Sequence, residues 1–544
     1  MGGGPARGAA RAGYPAAIEG SGRIASGLGA ALAAVTLLWA AVPGASARPA
    51  FVGNFSLDTI FAIDTATGQR IGEPIAVGSG LAGIAITPDG SRAYVANRDA
   101  VASRLSVIDI ATNQRIGEPI VLGPDFQSIA IAPDGSRVYV ASESGEEVAV
   151  IDTRTNAIVT RIDLEGTANS IAIAPSGSRI YVGERIGAVT RIKVLGADTN
   201  QPVGEPIVVS GGVQAIAITP DGSSLYATTN TDLAYAVDTA TNQVRATIPV
   251  GNEPRAMAIT PDGGRAYVSN ADDGTVSVID TRLNQVIGAP IPVGITSRAV
   301  AIAEGHAFVT SFGTDNIAVI DTTTNTLVGP PIEGGGKLEG IATVPDLAPT
   351  AAFSAPAARI RPGDPVSLDA SASKDPDGRI STFAWAFGDG QAVTATAPAT
   401  THVFATPGTY AVTLKVTDNE FCSTSLIFTG QTASCAGSPG AAITKRVEVA
   451  YPGVQVKCPK KAKRAGCKFA LQVVAKKPKP KGRAKAQSAV AKVKVKAGRS
   501  AIVSFKAKPA FRDKLARANS VVVKQTRTLA GKKTTSYRKL KIVR

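Results

Sequence analysis

Aspartates that recur in one short motif are the first residues of this chain whose type and spacing suggest chemistry. Pro88-Asp89-Gly90 lies between two apolar segments, and close copies follow at intervals along the chain. In a turn, proline presets φ, aspartate tolerates the next position, and glycine supplies a positive φ. A catalytic aspartate would not need repeated copies, and one copy carries Ser176 instead. The motif therefore predicts turns between strands, not catalysis.

Chemistry that depends on histidine has little support. The 544 residues include only two histidines, His306 and His402, and these fall in different predicted domains. A Ser-His-Asp relay and a zinc site with several histidine ligands are therefore hard to build. We predict no catalytic residue and no enzymatic activity, although an enzyme that uses carboxylates alone stays open.

Calcium is the one cation that the sequence suggests. Asp375 and Asp377 flank Pro376 and precede Gly378, so their carboxylates and nearby carbonyls could bind a hard cation that prefers oxygen ligands. The alternative is a plain turn of the Pro-Asp-Gly kind, which the sequence favours. No other cofactor or metal is predicted.

The four cysteines form two local pairs, Cys422 with Cys435 and Cys458 with Cys467. Three connectivities are open in principle, and local pairing is the simplest of them. Residues 48–421 contain no cysteine. Two predicted disulfides in one chain fit an exported protein.

An export signal is predicted at the start of the chain. Three arginines precede an apolar run from Leu28 to Val42, and Ala45-Ser46-Ala47 has the form of a cleavage site. We therefore predict that residues 1–47 are a signal peptide and that the protein is secreted or extracellular. An uncleaved anchor is the alternative, but the run is shorter than the roughly 20 residues that a membrane span needs.

Positive charge is concentrated at the C-terminal end. The chain carries a net charge of +16, and residues 451–544 hold 29 lysines and arginines against one acid, Asp513. Apolar and basic residues alternate there, as in Lys492-Val-Lys-Val-Lys496, which predicts half-buried strands with a cationic outer face. Such a face suits the anionic polymers of a cell envelope. Nucleic acid is disfavoured as a partner, because the protein is predicted to be exported and has few aromatic residues to stack on bases.

Strand-like segments repeat from Phe51 to Asp346 with a period of about 40 to 46 residues, which is typical of propellers and solenoids. Each repeat offers four strands, but the first repeat lacks its initial strand. That strand is found at the far end, at residues 340–344. We therefore predict an all-β, seven-bladed β-propeller whose split blade combines one C-terminal strand with three N-terminal strands.

The repeats resemble a known family. Tyr94-Val-Ala-Asn97 and Tyr267-Val-Ser-Asn270, in phase with Pro-Asp-Gly and Val-Ile-Asp, are similar to the YVTN β-propeller repeats of bacterial and archaeal surface proteins. The third motif position departs from threonine in most copies. The resemblance implies a propeller over residues 48–346 that displays loops for binding.

Residues 347–450 follow a different pattern. Asp375-Pro-Asp-Gly378 and Phe383-Ala-Trp-Ala-Phe-Gly-Asp-Gly390 resemble a PKD domain, which implies an immunoglobulin-like β-sandwich. Residues 421–440 are predicted to be a loop inserted in this domain and closed on itself by a disulfide. Residues 451–544 resemble the small basic β-domains that end many exported actinobacterial proteins.

These features predict a secreted or cell-surface protein with a binding and structural role. The propeller loops would bind an unidentified protein or glycan, and the basic domain would hold the protein to anionic envelope polymers. The candidate ligand contacts lie just before the first strand of a blade: Asp125, Gln127, Arg255, Arg298, Lys337 and Glu339. The alternative is a propeller-type enzyme, a lactonase or lyase, that uses carboxylates or a metal at the central channel.

Overall fold

The computed structural model describes residues 48–356 and 360–450, together with the strands of the C-terminal region. All of these residues belong to one compact unit. The predicted signal peptide lies outside the described residues, and so does Cys458, so its pairing with Cys467 stays a prediction. Within the described part of the chain, no helix is long and apolar enough to cross a membrane.

Seven antiparallel sheets form the blades of the propeller, and they are numbered here from the blade that contains the first strand. The inner strands of blades 1 to 7 are β31 (Leu338–Thr343), β4 (Leu81–Ile86), β9 (Phe126–Ile131), β13 (Thr167–Ile173), β17 (Val213–Ile218), β21 (Pro254–Ile259) and β26 (Ser297–Ala303). The second strands are β1 (Pro49–Asn54), β5 (Arg92–Asn97), β10 (Arg137–Ser142), β14 (Arg179–Ile186), β18 (Ser224–Thr229), β22 (Arg265–Asn270) and β27 (His306–Ser311).

The outer half of each blade is less regular. The third strands are β2 (Thr59–Asp64), β6 (Ser103–Asp109), β11 (Glu147–Asp152), β15 (Val189–Gly196), β19 (Leu233–Asp238), β23 (Thr275–Asp280) and β28 (Asn316–Asp321). The outermost strands are β3 (Arg70–Ala76), β7 (Gln114–Arg115) with β8 (Ile120–Gly123), β12 (Ala157–Asp163), β16 (Ile207–Val209), β20 (Gln243–Pro249), β24 (Gln285–Val286) with β25 (Ile291–Pro292), and β29 (Thr326–Leu327) with β30 (Ile332–Glu333).

Blade 1 closes the ring in the predicted way. Strand β31 pairs with β1, with Phe51 opposite Ala342 and Val52 opposite Ile341. The inner strands contact one another in sequence around the channel, and β31 contacts β4 to complete the circle. This confirms the seven-bladed, split-blade propeller. The pairing of β31 with β1 closes the ring of blades.

One predicted strand is corrected by the structure. Four strands per repeat predict one fourth strand in blade 2, over residues 115–122, but that blade ends in the two short strands β7 and β8. Gly117 adopts a φ of +65°, and Pro119 has no N–H to donate to the third strand. The same Arg70-Ile-Gly-Glu-Pro-Ile75 sequence forms the single, irregularly registered strand β3 in blade 1, so glycine and proline loosen the ladder without always dividing the strand.

The Tyr-Val strands hold neighbouring blades together. Tyr94 and Tyr267 are fully buried, and each hydroxyl reaches the Asn-containing turn of the next blade. The Tyr94 hydroxyl donates to Asn156 Oδ1 at 2.8 Å, and the Tyr267 hydroxyl donates to Asn325 Oδ1 at 2.6 Å. A tyrosine thus fills the space between blades while its polar end finds a partner, as buried tyrosines require.

The repeated aspartates act in turns. Asp89 Oδ1 accepts hydrogen bonds from the Thr87 hydroxyl at 2.6 Å and from the Ser91 N–H at 3.0 Å. Burial opposes ionisation of Asp89, but these hydrogen bonds outweigh it and hold the pKa below its usual value. Asp64 accepts from the N–H groups of the two residues that begin the next turn, Ala66 and Thr67. In these tight turns, the aspartate side chains accept hydrogen bonds from backbone N–H groups in place of backbone carbonyls.

The PKD region is a two-sheet sandwich, as predicted. One sheet pairs β32 (Pro365–Asp369) with β35 (Ala399–Val403), and the other has the order β34 (Ala392–Ala395), β33 (Ile380–Ala386), β36 (Gly408–Asp418), β39 (Ala442–Val449). Trp385 and Phe404 are at the centre of the core between the sheets. A loop inserted between β36 and β39 carries β37 (Ile427–Phe428), β38 (Ala433–Cys435) and a short 3-10 helix, Pro439–Ala441.

The C-terminal region contributes one six-stranded sheet. Its strands are β40 (Gly453–Lys457), β41 (Cys467–Val473), β42 (Ala491–Val495), β43 (Ser500–Ser504), β44 (Ser520–Leu529) and β45 (Lys532–Val543). The sheet order is β42, β41, β44, β45, β40, β43. The region is β-rich, as its alternating pattern predicted.

Candidate functional site

Every inner strand of the propeller contains a β-bulge near its start, at the second residue or, in β13, at the third. In β9, Phe126 pairs with Ser142 and Ser128 pairs with Ala141, so Gln127 has no partner opposite it. A bulge of this kind bends the strand and redirects the side chain of the extra residue. The seven bulged residues form what we call the bulge ring: Glu339, Ala82, Gln127, Asn169, Gln214, Arg255 and Arg298, in blades 1 to 7.

The bulge ring lines a cavity in the central channel. The cavity has a volume of about 340 Å³, and all seven ring residues border it. Arg98 and Glu143 add polar groups, and Met257 and Ile341 add apolar surface. Gln431, from the loop inserted in the PKD region, also borders the cavity. A volume of this size is within the range of small-molecule sites.

The bulge ring has two chemically different halves. Blades 6, 7 and 1 supply the charged residues Arg255, Arg298 and Glu339. Blades 3, 4 and 5 supply amides, and blade 2 supplies only Ala82. One side of the cavity can therefore bind an anionic group, and the other can both donate hydrogen bonds to hydroxyls and accept them.

The two arginines of the ring retain unused hydrogen-bond donors. Arg298 Nη1 lies 3.9 Å from Glu339 Oε1, and Arg255 forms an ion pair with Glu253. The Nε atoms of Arg255 and Arg298 are both buried and have no hydrogen-bond partner among the described residues. Buried polar groups are normally satisfied, so two adjacent orphan donors indicate a place for an acceptor.

Glu339 has an altered affinity for protons. Burial raises its pKa, while Arg298 and Arg255 act in the opposite direction without cancelling the effect. A carboxyl group with a raised pKa can hold a proton nearer to neutral pH than an ordinary glutamate does. Glu339 is therefore the ring residue best suited to exchange a proton with a ligand.

Arg98 organises the rim of the cavity. Its Nε lies 3.1 Å from Asp125 Oδ1, one terminal nitrogen lies 2.7 Å from Glu143 Oε2, and the other lies 3.2 Å from Gln127 Oε1. The guanidinium thus fixes the orientation of Gln127, a ring residue, and joins blades 2 and 3 at the mouth.

Aromatic side chains lie on the other side of the rim. The Phe55 and Phe312 rings are 5.7 Å apart. The charged groups of Arg298 and Lys337 each lie 5.0 Å from the Phe312 ring centroid, within the range of cation–π attraction. Phe55 is exposed, so this platform is open to solvent next to the cationic half of the ring.

The structure brings four of the six predicted ligand contacts together in the cavity. These are Gln127, Arg255, Arg298 and Glu339. Asp125 and Lys337 do not border the cavity; Asp125 holds Arg98, and Lys337 lies against Phe312.

Other residues of the cavity were missed at the sequence level. Asn169 and Gln214 occupy the same repeat position as Gln127, so an alignment of the inner strands would have found them. Arg98 and Glu143 follow second strands and are brought in by the fold. Gln431 comes from another predicted domain, and no pattern in the repeats points to it.

A second cluster of charged groups lies where the propeller meets the PKD region. We call it the junction cluster, and its carboxylates are Asp346, Asp375, Asp377, Asp418 and Glu420. Arg48 is its cation: its Nη1 lies 2.5 Å from Glu420 Oε1 and 3.5 Å from Asp346 Oδ1. Asp346 and Asp418 are each only 2% exposed. The predicted metal ligands Asp375 and Asp377 are thus part of a larger buried acidic group.

Several oxygens of the junction cluster have no hydrogen-bond partner among the described residues. They are Asp346 Oδ2, Asp375 Oδ1 and Oδ2, Asp377 Oδ1 and Asp418 Oδ2. Carboxylate oxygens of Asp346 and Asp418 lie within 4.8 Å of each other and of Cys422 Sγ, which cannot act as a thiolate because it is disulfide-bonded. Five carboxylates against one arginine leave a large excess of buried negative charge.

The aspartates of the junction cluster have raised pKa values. Burial, together with the neighbouring carboxylates, raises the pKa of Asp346 to about 10, of Asp418 to about 7 and of Asp375 to about 6. Burial also raises the pKa of Asp377. Without a further cation, the cluster therefore retains protons that ordinary aspartates lose.

Comparison with known proteins identifies the two predicted folds in part of the chain. Residues 128–288 match the family model described as "Lactonase, 7-bladed beta-propeller", and residues 346–430 match that of the PKD domain. A microbial collagenase of Vibrio alginolyticus is 41% identical over 58 residues, which is 11% of this chain and 7% of the collagenase. The YVTN assignment and the likeness of residues 451–544 to small basic β-domains stay predictions.

Two solved structures are similar to about half of the chain. The hydrazine synthase of Kuenenia stuttgartiensis has 21% sequence identity and a TM-score of 0.46, with 52% of this chain and 96% of that chain covered. A functionally unknown protein from Desulfotomaculum acetoxidans has 18% identity and the same TM-score, with 54% and 98% covered.

Proposed function

We propose that the protein is an exported binding protein whose propeller cavity holds an acidic carbohydrate. The division of the bulge ring into a cationic and an amide half supports this most directly. Guanidinium groups suit carboxylates because they offer parallel N–H donors, and the Nε atoms of Arg255 and Arg298 have no partner among the described residues. The amides of Gln127, Asn169 and Gln214 can each donate to, and accept from, a sugar hydroxyl.

The rim adds a surface for a longer ligand. The open Phe55 and Phe312 platform lies beside Arg298 and Lys337, so an acidic chain that leaves the cavity would meet aromatic faces and a further cation. Aromatic and charged groups that converge on a polar cavity are typical of binding sites. An acidic oligosaccharide therefore fits better than a single sugar.

The proposal can be tested by calorimetric titration of the protein with trigalacturonate. A neutral trisaccharide of the same length is the control ligand. Binding of the acidic sugar alone is expected. Arg298→Gln should weaken it by about tenfold or more, because a charge-assisted hydrogen bond is lost. Arg282→Gln serves as the control, since Arg282 is exposed on a turn away from the cavity. Equal binding of both sugars, or equal affinity of both variants, would refute the proposal.

An extracellular location is part of this proposal. The PKD match, the local similarity to a collagenase, the disulfide between Cys422 and Cys435 and the predicted signal peptide all support it. The basic C-terminal region, with 29 lysines and arginines in residues 451–544, is proposed to hold the protein to anionic polymers of the envelope.

A lactonase or lyase activity is the second candidate function. The lactonase family match and the position of Glu339 favour it. Glu339 has a raised pKa and lies beside Arg298, so it could move a proton while the arginine stabilises negative charge on a substrate carbonyl. Hydrolysis of a panel of sugar lactones would test this. Activity that is lost in Glu339→Gln but kept in Glu333→Gln would favour the enzyme.

Calcium is proposed to bind the junction cluster. The ligands would be oxygens of Asp346 and Asp418, which lie within 4.8 Å of each other, joined by those of the neighbouring Asp375 and Asp377; several of these oxygens have no partner within the described residues. Hard oxygen donors in this number suit Ca²⁺, and a divalent charge would offset the buried carboxylates. Metal analysis of the purified protein should find one ion per chain, and Asp375→Asn with Asp377→Asn should remove it.

A further inference from the structure

The loop inserted in the PKD region enters the central channel of the propeller. We call residues 422–435 the stapled loop, because a disulfide joins its ends, Cys422 and Cys435. Three successive carbonyl groups of the loop accept hydrogen bonds from the propeller. The donors are the N–H groups of the last residue in three successive inner strands. The pairs are Gln431 O with Ile131 N at 2.9 Å, Gly430 O with Ile173 N at 2.7 Å, and Thr429 O with Ile218 N at 2.9 Å.

This contact solves a problem that every propeller channel has. The inner strand of a blade has a partner on one side only, so its channel edge presents unpaired N–H groups. Such groups are costly when they are buried without a partner. In blades 3, 4 and 5 the stapled loop supplies the acceptors. The Thr432 hydroxyl donates to the Ile86 carbonyl at 2.9 Å and extends the contact to blade 2.

Side-chain packing fixes the stapled loop in this position. Phe428 is 1% exposed and belongs to the same hydrophobic cluster as Ile171 and Ile173 of blade 4. Gly430 adopts a φ of +116°, and a Cβ atom there would lie only 3.2 Å from the Cβ of Ala172. The backbone therefore approaches the inner strand more closely than a side chain would allow.

We propose that the stapled loop plugs the channel and forms the floor of the ligand cavity, with Gln431 as a residue that contacts the ligand. Gln431 borders the cavity, and its carbonyl binds the last residue of β9, at the end of the strand away from the bulge ring. Its Nε2 lies 3.5 Å from the Ile171 carbonyl, which is at the limit of hydrogen bonding. The amide can therefore exchange that contact for a ligand hydroxyl. The ligand contact rests on the proposed function, whereas the plug does not.

The plug makes one binding site from two domains. A propeller without the PKD region would have an open channel and unpaired inner N–H groups. The disulfide restricts the conformations that the stapled loop can adopt. We therefore expect oxidation of Cys422 and Cys435 to favour the state in which the loop occupies the channel. The cavity is accordingly expected to be formed more completely in an oxidising compartment, where the disulfide persists.

Hydrogen exchange on the full chain tests the plug without any ligand. In the native protein, the amides of Ile131, Ile173 and Ile218 should be protected. In Cys422→Ala with Cys435→Ala they should exchange faster by about tenfold or more, because the loop opens more often. Ile259 occupies the same repeat position in blade 6, where the described residues offer no loop carbonyl, so its amide should exchange equally in both forms.

Equal exchange of the three amides in both forms would overturn the plug. If the double variant does not fold, reduction of the native protein with a thiol gives the same comparison. Gln431→Ala then tests the floor residue: the three amides should stay protected while affinity for trigalacturonate falls by about three- to tenfold. An unchanged affinity would overturn the role of Gln431. If the three amides are protected but neither the native protein nor any variant binds trigalacturonate, the plug is supported and the proposed ligand is refuted.

Discussion

The seven residues of the bulge ring share one repeat position but differ in chemistry, and that difference determines what the cavity can bind. A symmetric ring of identical side chains would favour a symmetric ligand. Here two arginines and a glutamate face three amides and an alanine. An asymmetric polar ligand, with its anionic end toward blades 6 and 7, fits this arrangement.

Stability of the metal-free protein should depend on the protonation of the junction cluster. The folded state raises the pKa of Asp418 to about 7 and of Asp375 to about 6, so folding favours the protonated forms. This contribution is fully present at low pH and is lost as pH rises through these values. In a chelator, the Tm should therefore fall, by several degrees, between about pH 4, the pKa of an unfolded aspartate, and about pH 7. Calcium should remove most of the fall, because it stabilises the ionised carboxylates.

Asp418→Asn provides the critical comparison for the junction cluster. The amide cannot ionise, so both the pH dependence in chelator and the rise in Tm on adding calcium should shrink. Asp364→Asn is the matched control, because Asp364 is exposed in the same domain. A Tm in chelator that does not change with pH would contradict the buried, uncompensated cluster.

The contribution of each hydrogen bond between blades to the free energy of unfolding should be measurable separately. The Tyr267 hydroxyl donates to Asn325 Oδ1 at 2.6 Å across the boundary between blades 6 and 7. Tyr267→Phe should reduce the free energy of unfolding by about 1 kcal/mol, because a buried hydrogen bond is lost without a cavity. A double-mutant cycle with Asn325→Ala, followed by chemical denaturation, should show coupling of similar size. Purely additive effects would mean that the pair does not stabilise the boundary.

At the scale of elements, the blades were predictable and their finer adaptations were not. Alternating apolar residues, Pro-Asp-Gly turns and buried tyrosines gave seven blades and the split closure. Gln127, Arg255, Arg298 and Glu339 were predicted as ligand contacts from their repeat position, but the strand register was needed to show that each is a bulged residue and that together they line one cavity. The stapled loop binds through backbone carbonyls, which carry no side-chain signal, so its disulfide was predictable but its place in the channel was not.

Substitution of Gly430 tests how closely the stapled loop approaches the inner strand of blade 4. Gly430→Ala adds strain at a positive φ and a contact 3.2 Å from Ala172. Gly390→Ala is matched, because Gly390 has a φ of +93° but open space around it. Each should reduce stability by about 1 kcal/mol through backbone strain. Only Gly430→Ala should also speed exchange at the Ile173 amide. Equal exchange in both variants would argue against close contact in the channel.

At the scale of the whole molecule, charge separates the chain into parts with different expected partners. Residues 451–544 hold half of all lysines and arginines but a single acidic residue, whereas most carboxylates lie in the propeller and PKD region. The basic sheet could bind an anionic polymer of the envelope, or it could be held by the acidic propeller of the same chain. These two arrangements differ in what happens when the basic region is removed.

Deletion of residues 452–544 should release the protein from the cell wall into the medium, as measured by immunoblotting of the two fractions. The full chain should be released by about 1 M salt, because the screening length falls to roughly 3 Å there. Charge pairing within the chain would instead make the deletion lower the Tm of the propeller and leave wall association unchanged. Wall retention that is unchanged by the deletion and by salt would contradict electrostatic attachment through the basic region.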